Sequence, residues 1–228
     1  LKKYSIIVAG GSGTRMGTEI PKQFIEINGM PVIMHTIYAF YNFDNNIEII
    51  IVIPSKFIDY WKKLCVQYKF IIEHKLADGG PARFHSVKSG LNAIKDNNSI
   101  VAIHDSVRPL VSKKVIESAF YNAEIYGNAI PVVKINESIR EKDGFINRPA
   151  NRENFYIVQT PQCFKTELIK KAYTQNYNDL FTDDASVIES IGETIHLIEG
   201  NPENIKITTP VDLVFAQAII GKTEITAF

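Results

Sequence analysis

Hydrophobic positions fall in short blocks with two different spacings. Residues 4–9, 47–53, 70–73, 100–104 and 129–133 are apolar runs, several of them near-continuous Ile and Val, the pattern of parallel strands covered on both faces. Residues 31–41, 55–68, 82–94 and 112–126 space their apolar positions helically, and Phe84, Val87, Leu91 and Ile94 share one face. The alternation predicts βαβ units and an α/β fold: a three-layer, Rossmann-like, mostly parallel sheet with helices on both faces.

The rhythm breaks at residues 134–152, a polar stretch with an Asp143-Gly144 turn signal and no helical stripe. A projecting β-arm at about 134–154 is expected there, suited to dimer contacts. The α/β pattern then resumes with strands at 155–159 and 194–198 and a helix at 183–191. A short strand at 204–207 and a helix opened by Thr209 and Pro210, an N-cap followed by proline, complete the chain. One domain over residues 1–228 is expected, with the arm inserted and no second enzyme after the last helix.

Composition narrows the function classes. The 25 Lys and Arg balance 25 Asp and Glu, so the basic footprint of a nucleic-acid binder is absent. The two cysteines, Cys65 and Cys163, form no CxxC pair, and the five histidines show no HExxH spacing. No apolar run has the length of a membrane span, and the start runs too quickly into glycines for a signal peptide. A soluble, reduced, cytoplasmic setting fits.

The first strand runs into Ala9-Gly10-Gly11-Ser12-Gly13-Thr14-Arg15-Met16-Gly17, followed by Pro21-Lys22-Gln23-Phe24. Glycines there let backbone amides approach a phosphate closely. The spacing is not GxxxxGK[ST], and Met16 stands where GxGxxG needs its third glycine. What remains is a glycine loop with its own cations, Arg15 and Lys22, which suit a triphosphate whose charge rises during substitution. The plainer alternative is a tight βα turn with solvated cations.

This segment resembles the signature of the sugar-phosphate nucleotidyltransferases, and more narrowly the cytidylyltransferases acting on 2-C-methyl-D-erythritol 4-phosphate. The resemblance continues through Gly79-Gly80-Pro81-Ala82-Arg83-Phe84-His85-Ser86-Val87, His104-Asp105-Ser106-Val107-Arg108-Pro109, Arg152 with Gln159-Thr160-Pro161-Gln162, Thr182-Asp183-Asp184-Ala185-Ser186 and Asn204-Ile205-Lys206-Ile207-Thr208. It implies cytidylyl transfer from CTP to that acceptor, with release of pyrophosphate, in non-mevalonate isoprenoid precursor synthesis. Ala9, Gly10, Gly11, Gly13, Gly80, Arg83, Ser86 and Asp105 would bind the nucleotide. Asp105, Arg108, Ser138, Arg152, Thr160 and Thr182 would hold the acceptor, Ser138 standing where the family has a threonine. Arg15, Lys22 and Lys206 would stabilise charge at the α-phosphate.

The resemblance also implies Mg²⁺, carried mainly by the CTP phosphates near Asp105, and a homodimer in which Ser138 and Arg152 serve the neighbouring site. A phosphate acceptor is already anionic near neutral pH, so no general base is required. The plainer alternatives are a helix cap at Thr182 and a solvated lysine at Lys206. The nearest rival is a cytidylyltransferase for ribitol 5-phosphate. The spacing from Arg15 to Pro21-Lys22 and the TDDAS segment favour the methylerythritol acceptor. An NAD-binding oxidoreductase is disfavoured by the failed GxGxxG, and a silent nucleotide-binding module by the retention of Arg15, Lys22, Asp105 and Lys206.

Overall fold

The computed structural model describes residues 1–10 and 20–225, the last four by their backbone alone. In chain order the elements are β1 (Lys2–Val8), β2 (Glu26–Ile27), β3 (Met30–Pro31), α1 (Val32–Phe43), β4 (Glu48–Ile53), α2 (Ile58–Gln67), β5 (Lys75–Asp78), α3 (Arg83–Asn92), β6 (Ser99–Asp105) and α4 (Lys113–Tyr126). They continue with β7 (Asn128–Lys134), β8 (Ile139–Asp143), β9 (Ile146–Ala150), β10 (Tyr156–Val158), β11 (Gln162–Lys165), α5 (Thr166–Ala172), α6 (Asp184–Glu189), β12 (Leu197–Glu199) and α7 (Pro210–Ile225). The main sheet runs β10-β7-β11-β6-β1-β4-β5, with β12 parallel to β7.

The apolar runs are continuous because each strand feeds two cores. Ile7 of β1, Ile49 and Ile51 of β4 and Ala102 of β6 face one cluster under α1, α2 and α4. Their neighbours Ile6, Ile50, Val52 and Val101 face the other, under α3, α5 and α6. β1, β4, β5 and β6 are mutually parallel, so the loops after them share one edge. β1 leads outward to β4 and β5, and the chain returns to place β6 on the other flank of β1. That reversal is where open α/β sheets bind ligands.

Three expectations need correction, and one strand was not expected at all. The strand expected at 70–73 lies later, at β5, and pairing with β4 starts at Ile50 opposite Lys75. Phe70 and Ile72 are buried as a strand would bury them, but the Ile72 carbonyl accepts from the His74 ring at 2.7 Å instead of from a ladder. Residues 204–207 form no strand, because the Asn204 carbonyl is taken by Arg108 at 2.7 Å. The cap of α6 is Asp183, in a reciprocal box with Ser186, rather than Thr182. β11, antiparallel between β6 and β7, was not anticipated. The arm is a hairpin, β8 on β9, turning through Gly144 at φ 58°.

Gly90 marks where α3 is pressed onto the sheet: a Cβ there would stand 2.8 Å from Ile6 Cγ2 and 3.0 Å from Val52 Cγ2. Gly90→Ala improves helix propensity by about 1 kcal/mol but overpacks two β-branched residues, so a net loss of about 1–2 kcal/mol is expected. The denaturant midpoint measures it.

Candidate active site

At the shared carboxyl edge a cavity of about 250 Å³ is lined by Gly10, Lys22, Gly80, Arg83, Ser86, Asp105 and Lys206, among others. β1 delivers Gly10, and a short helical turn, Lys22–Phe24, delivers Lys22, which is 8% exposed. Gln23 ties that turn to β1 by donating to the Ala9 carbonyl at 2.8 Å. β5 leads into Gly79-Gly80 and α3. The Gly80 amide donates to Ser86 Oγ at 3.0 Å, and a Cβ on Gly80 would stand 2.3 Å from that of His85. Glycine is required there by close approach.

The centre of the cavity wall is Asp105, at the end of β6 and 7% exposed. Its Oδ1 lies 3.6 Å from Arg83 Nε; its Oδ2 lies 3.4 Å from Arg108 Nε and 3.0 Å from Lys206 Nζ. Burial alone would raise this carboxylate, but Arg83, Lys206 and Arg108 together hold it well below the usual carboxylate range. Burial likewise lowers Arg108, with partial compensation from Asp105. Arg83 is held above its ordinary value despite burial, because Asp184 and Asp105 both face it.

Behind Asp105 lies a hydrogen-bond relay. Its amide donates to Thr160 Oγ1 at 3.1 Å, and Thr160 reaches His104 Nδ1 at 2.9 Å. The other ring nitrogen, Nε2, lies 3.0 Å from the Arg108 carbonyl. A carbonyl can only accept, so Nε2 carries the proton and Nδ1 accepts from the threonine hydroxyl. The neutral ring fits this arrangement, and burial brings the His104 pKa down to about 4.

Among the sequence-predicted residues, Gly10, Lys22, Gly80, Arg83, Ser86, Asp105 and Lys206 line this one cavity. Ala9 stands beside it, and Arg108 and Thr160 join through Asp105. Thr182 lines a separate, wider hollow of about 710 Å³ with Val158, Asp183 and Ser186. Arg152 lies at the root of the arm, bonded to the Asn136 carbonyl, and Ser138 sits exposed just before β8. Gly11, Gly13 and Arg15 fall outside the described residues. Sequence reasoning missed Asp184, which forks onto Arg83, and the structural parts played by His104 and Asn204.

These features define an α/β protein that gathers several cations and glycine amides for a phosphate-bearing ligand. Residues 4–222 match the family model of 2-C-methyl-D-erythritol 4-phosphate cytidylyltransferase. The enzyme of that name from Bacteroides fragilis is 48% identical over 218 residues, covering 96% of this chain and 99% of its own. That from Azobacteroides pseudotrichonymphae is 49% identical over 221 residues, covering 96% and 99%. Among solved structures, 4-diphosphocytidyl-2C-methyl-D-erythritol synthase from Anaerococcus prevotii superposes with a TM-score of 0.81 at 28% identity, covering 96% of each chain. The Thermus thermophilus cytidylyltransferase gives 0.77 at 27%, covering 96% of this chain and 98% of its own. The chain belongs to the 2-C-methyl-D-erythritol 4-phosphate cytidylyltransferase family of nucleotidyltransferases. Among the described residues no helix is long and apolar enough to cross a membrane.

His104 makes stability depend on pH. Unfolded, it binds a proton below about 6.5; folded, it does so only below about 4. Between these values the unfolded state holds more protons, so stability rises with pH and is lost as pH falls through the window, by about 3 kcal/mol in all. Urea titrations at pH 7 and pH 5 should show this slope, and it should flatten in His104→Gln.

Proposed function

We propose that the cavity around Asp105 holds CTP and that the chain transfers its cytidylyl group to the 4-phosphate of 2-C-methyl-D-erythritol 4-phosphate. The observation carrying this reading is the convergence of Gly80, Ser86, Lys22 and Lys206 on one cavity at the strand ends. The transfer needs the acceptor phosphate in line with the α-phosphorus and charge stabilised as pyrophosphate leaves. Gly10, Gly80 and Ser86 offer backbone and hydroxyl groups to the nucleoside side. Lys22, Lys206 and Arg15 stabilise the charge growing at the α-phosphate. Lys206, paired with Asp105 at 3.0 Å, would turn its ammonium to phosphate oxygens.

Asp105 is the one carboxylate among the described lining residues, and three cations already face it. A single carboxylate so paired leaves a divalent cation to be held mainly by phosphate oxygens and water, with Asp105 nearby. Such an ion would neutralise triphosphate charge when bound. Arg108 and Thr160 fix Asp105 from behind, on the acceptor side.

The same reading makes the protein a homodimer through its arm. Phe145 and Ile146 stand exposed at the hairpin tip, and Tyr156, Ile157, Val158 and Leu197 leave apolar surface 42–49% exposed beside the arm. A monomer rarely leaves such a patch to water. Ser138 and Arg152, at the arm's root, would serve the partner's acceptor.

Pyrophosphate release with CTP and Mg²⁺ tests the reaction: turnover is expected with methylerythritol 4-phosphate and not with ribitol 5-phosphate. Lys206→Ala should lower kcat by about 10²–10³ with the fold intact. Mixing Lys206→Ala with Arg152→Ala subunits tests the shared site. If Arg152 acts across the dimer, each hybrid regains one whole site, and an equal mixture recovers about a quarter of wild-type activity. If it acts within its own subunit, nothing is recovered.

A further inference from the structure

Asp184 is the one wholly buried carboxylate in the α6 start, with its side chain 0% exposed. Arg83 Nη1 and Nη2 fork onto its two oxygens at 2.8 and 2.7 Å. The Tyr173 hydroxyl, itself buried, donates to Oδ1 at 2.6 Å. The backbone amides of Asp184 and Ala185 both donate to Gln162 Oε1 at 3.0 Å, so the residue's main chain is anchored as well as its carboxylate. Helix-dipole stabilisation alone would not bury an aspartate among three donors; it would leave it in water at the first turn.

We infer that Asp184, backed by Tyr173, is a positioning residue for the reaction: it holds the Arg83 guanidinium against the cavity wall, so that the nucleotide meets a preformed surface. The inference rests on reading the cavity as the nucleotide site. Arg83 stands between two acids, Asp184 on one side and Asp105 on the other. With the fork intact, only its Nε edge faces Asp105, whose second oxygen stays with Arg108 and Lys206. With the fork broken, the guanidinium turns to its remaining acid and closes on Asp105. It then occupies space that lines the cavity, where the nucleotide would sit. The cost falls on binding of the nucleotide, because the groups that act on the α-phosphate are themselves untouched.

Steady-state kinetics of the purified enzyme test this, with CTP and acceptor varied separately. Asp184→Asn, nearly isosteric, should raise the KM for CTP by about tenfold while kcat and the acceptor KM stay within about threefold. Arg83→Lys, which keeps the charge but not the fork, should match it, and the double variant should be no worse than the poorer single. Tyr173→Phe leaves the fork and removes one donor, so its CTP KM should rise about twofold to threefold. Should Asp184→Asn fail to fold, Tyr173→Phe and Arg83→Lys decide the matter. An unchanged CTP KM in folded Asp184→Asn, a lowered kcat in place of a raised KM, or additive losses in the double variant would overturn the proposal. Lys206→Ala separates the two layers: if it too leaves every kinetic constant unchanged, the cavity is not the site, and the positioning role falls with it.

Discussion

Asp105 is a carboxylate almost withdrawn from water, and a charge so placed destabilises the fold by several kcal/mol unless it is matched. The matching groups come from three separate places: Arg83 at the start of α3, Arg108 from the turn after β6, and Lys206 from the segment before α7. Each new partner carries its own unmet need. Arg83 finds Asp184, Arg108 finds the Asn204 carbonyl, and Asn204 reaches back to the Thr160 carbonyl at 2.8 Å. Thr160 in turn accepts from the Asp105 amide, so the requirement closes on itself. The same arrangement that makes the buried acid tolerable therefore assembles cations around a cavity, and fold and site share one electrostatic cause.

How much of this was legible depends on whether the information was local. The Ile and Val runs of β1, β4 and β6 announced themselves because each alternates between two cores. Gly80 and the aspartate that ends β6 stood out because ligands gather at strand ends in such sheets. β11 escaped notice for the opposite reason. Its four residues show no period of their own, and only the neighbours β6 and β7, far away in the chain, make Cys163 and Phe164 core. Residues 70–73 had the apolar signal of a strand without its partner, the ladder starting only at Lys75.

The two acids that open α6 illustrate the limit most clearly. Asp183 and Asp184 are adjacent and chemically identical, and both suit a helix start. One became the cap and the other the buried mate of Arg83, a distinction made by a guanidinium 101 residues earlier in the chain. Local spacing carries no trace of that. The family resemblance pointed to this segment but to its threonine, whose place at the mouth of a different hollow is a fact of three-dimensional packing.

Those long separations shape how the molecule comes into being. Arg83 and Asp184 are 101 residues apart, and Arg108 and Asn204 are 96 apart. On a ribosome, β1, β4, β5 and β6 emerge and can pair while Asp184, Asn204 and Lys206 are still unmade. Until they arrive, Asp105 lacks the third of its cations and Arg83 lacks its fork. The pairings that complete the cavity wall are thus among the last to form, and loop closure over such distances makes them slow. A chain that ends before Asp184 carries Arg83 without its fork and Asp105 without Lys206, and the full set of pairings arrives only with the final quarter of the polypeptide.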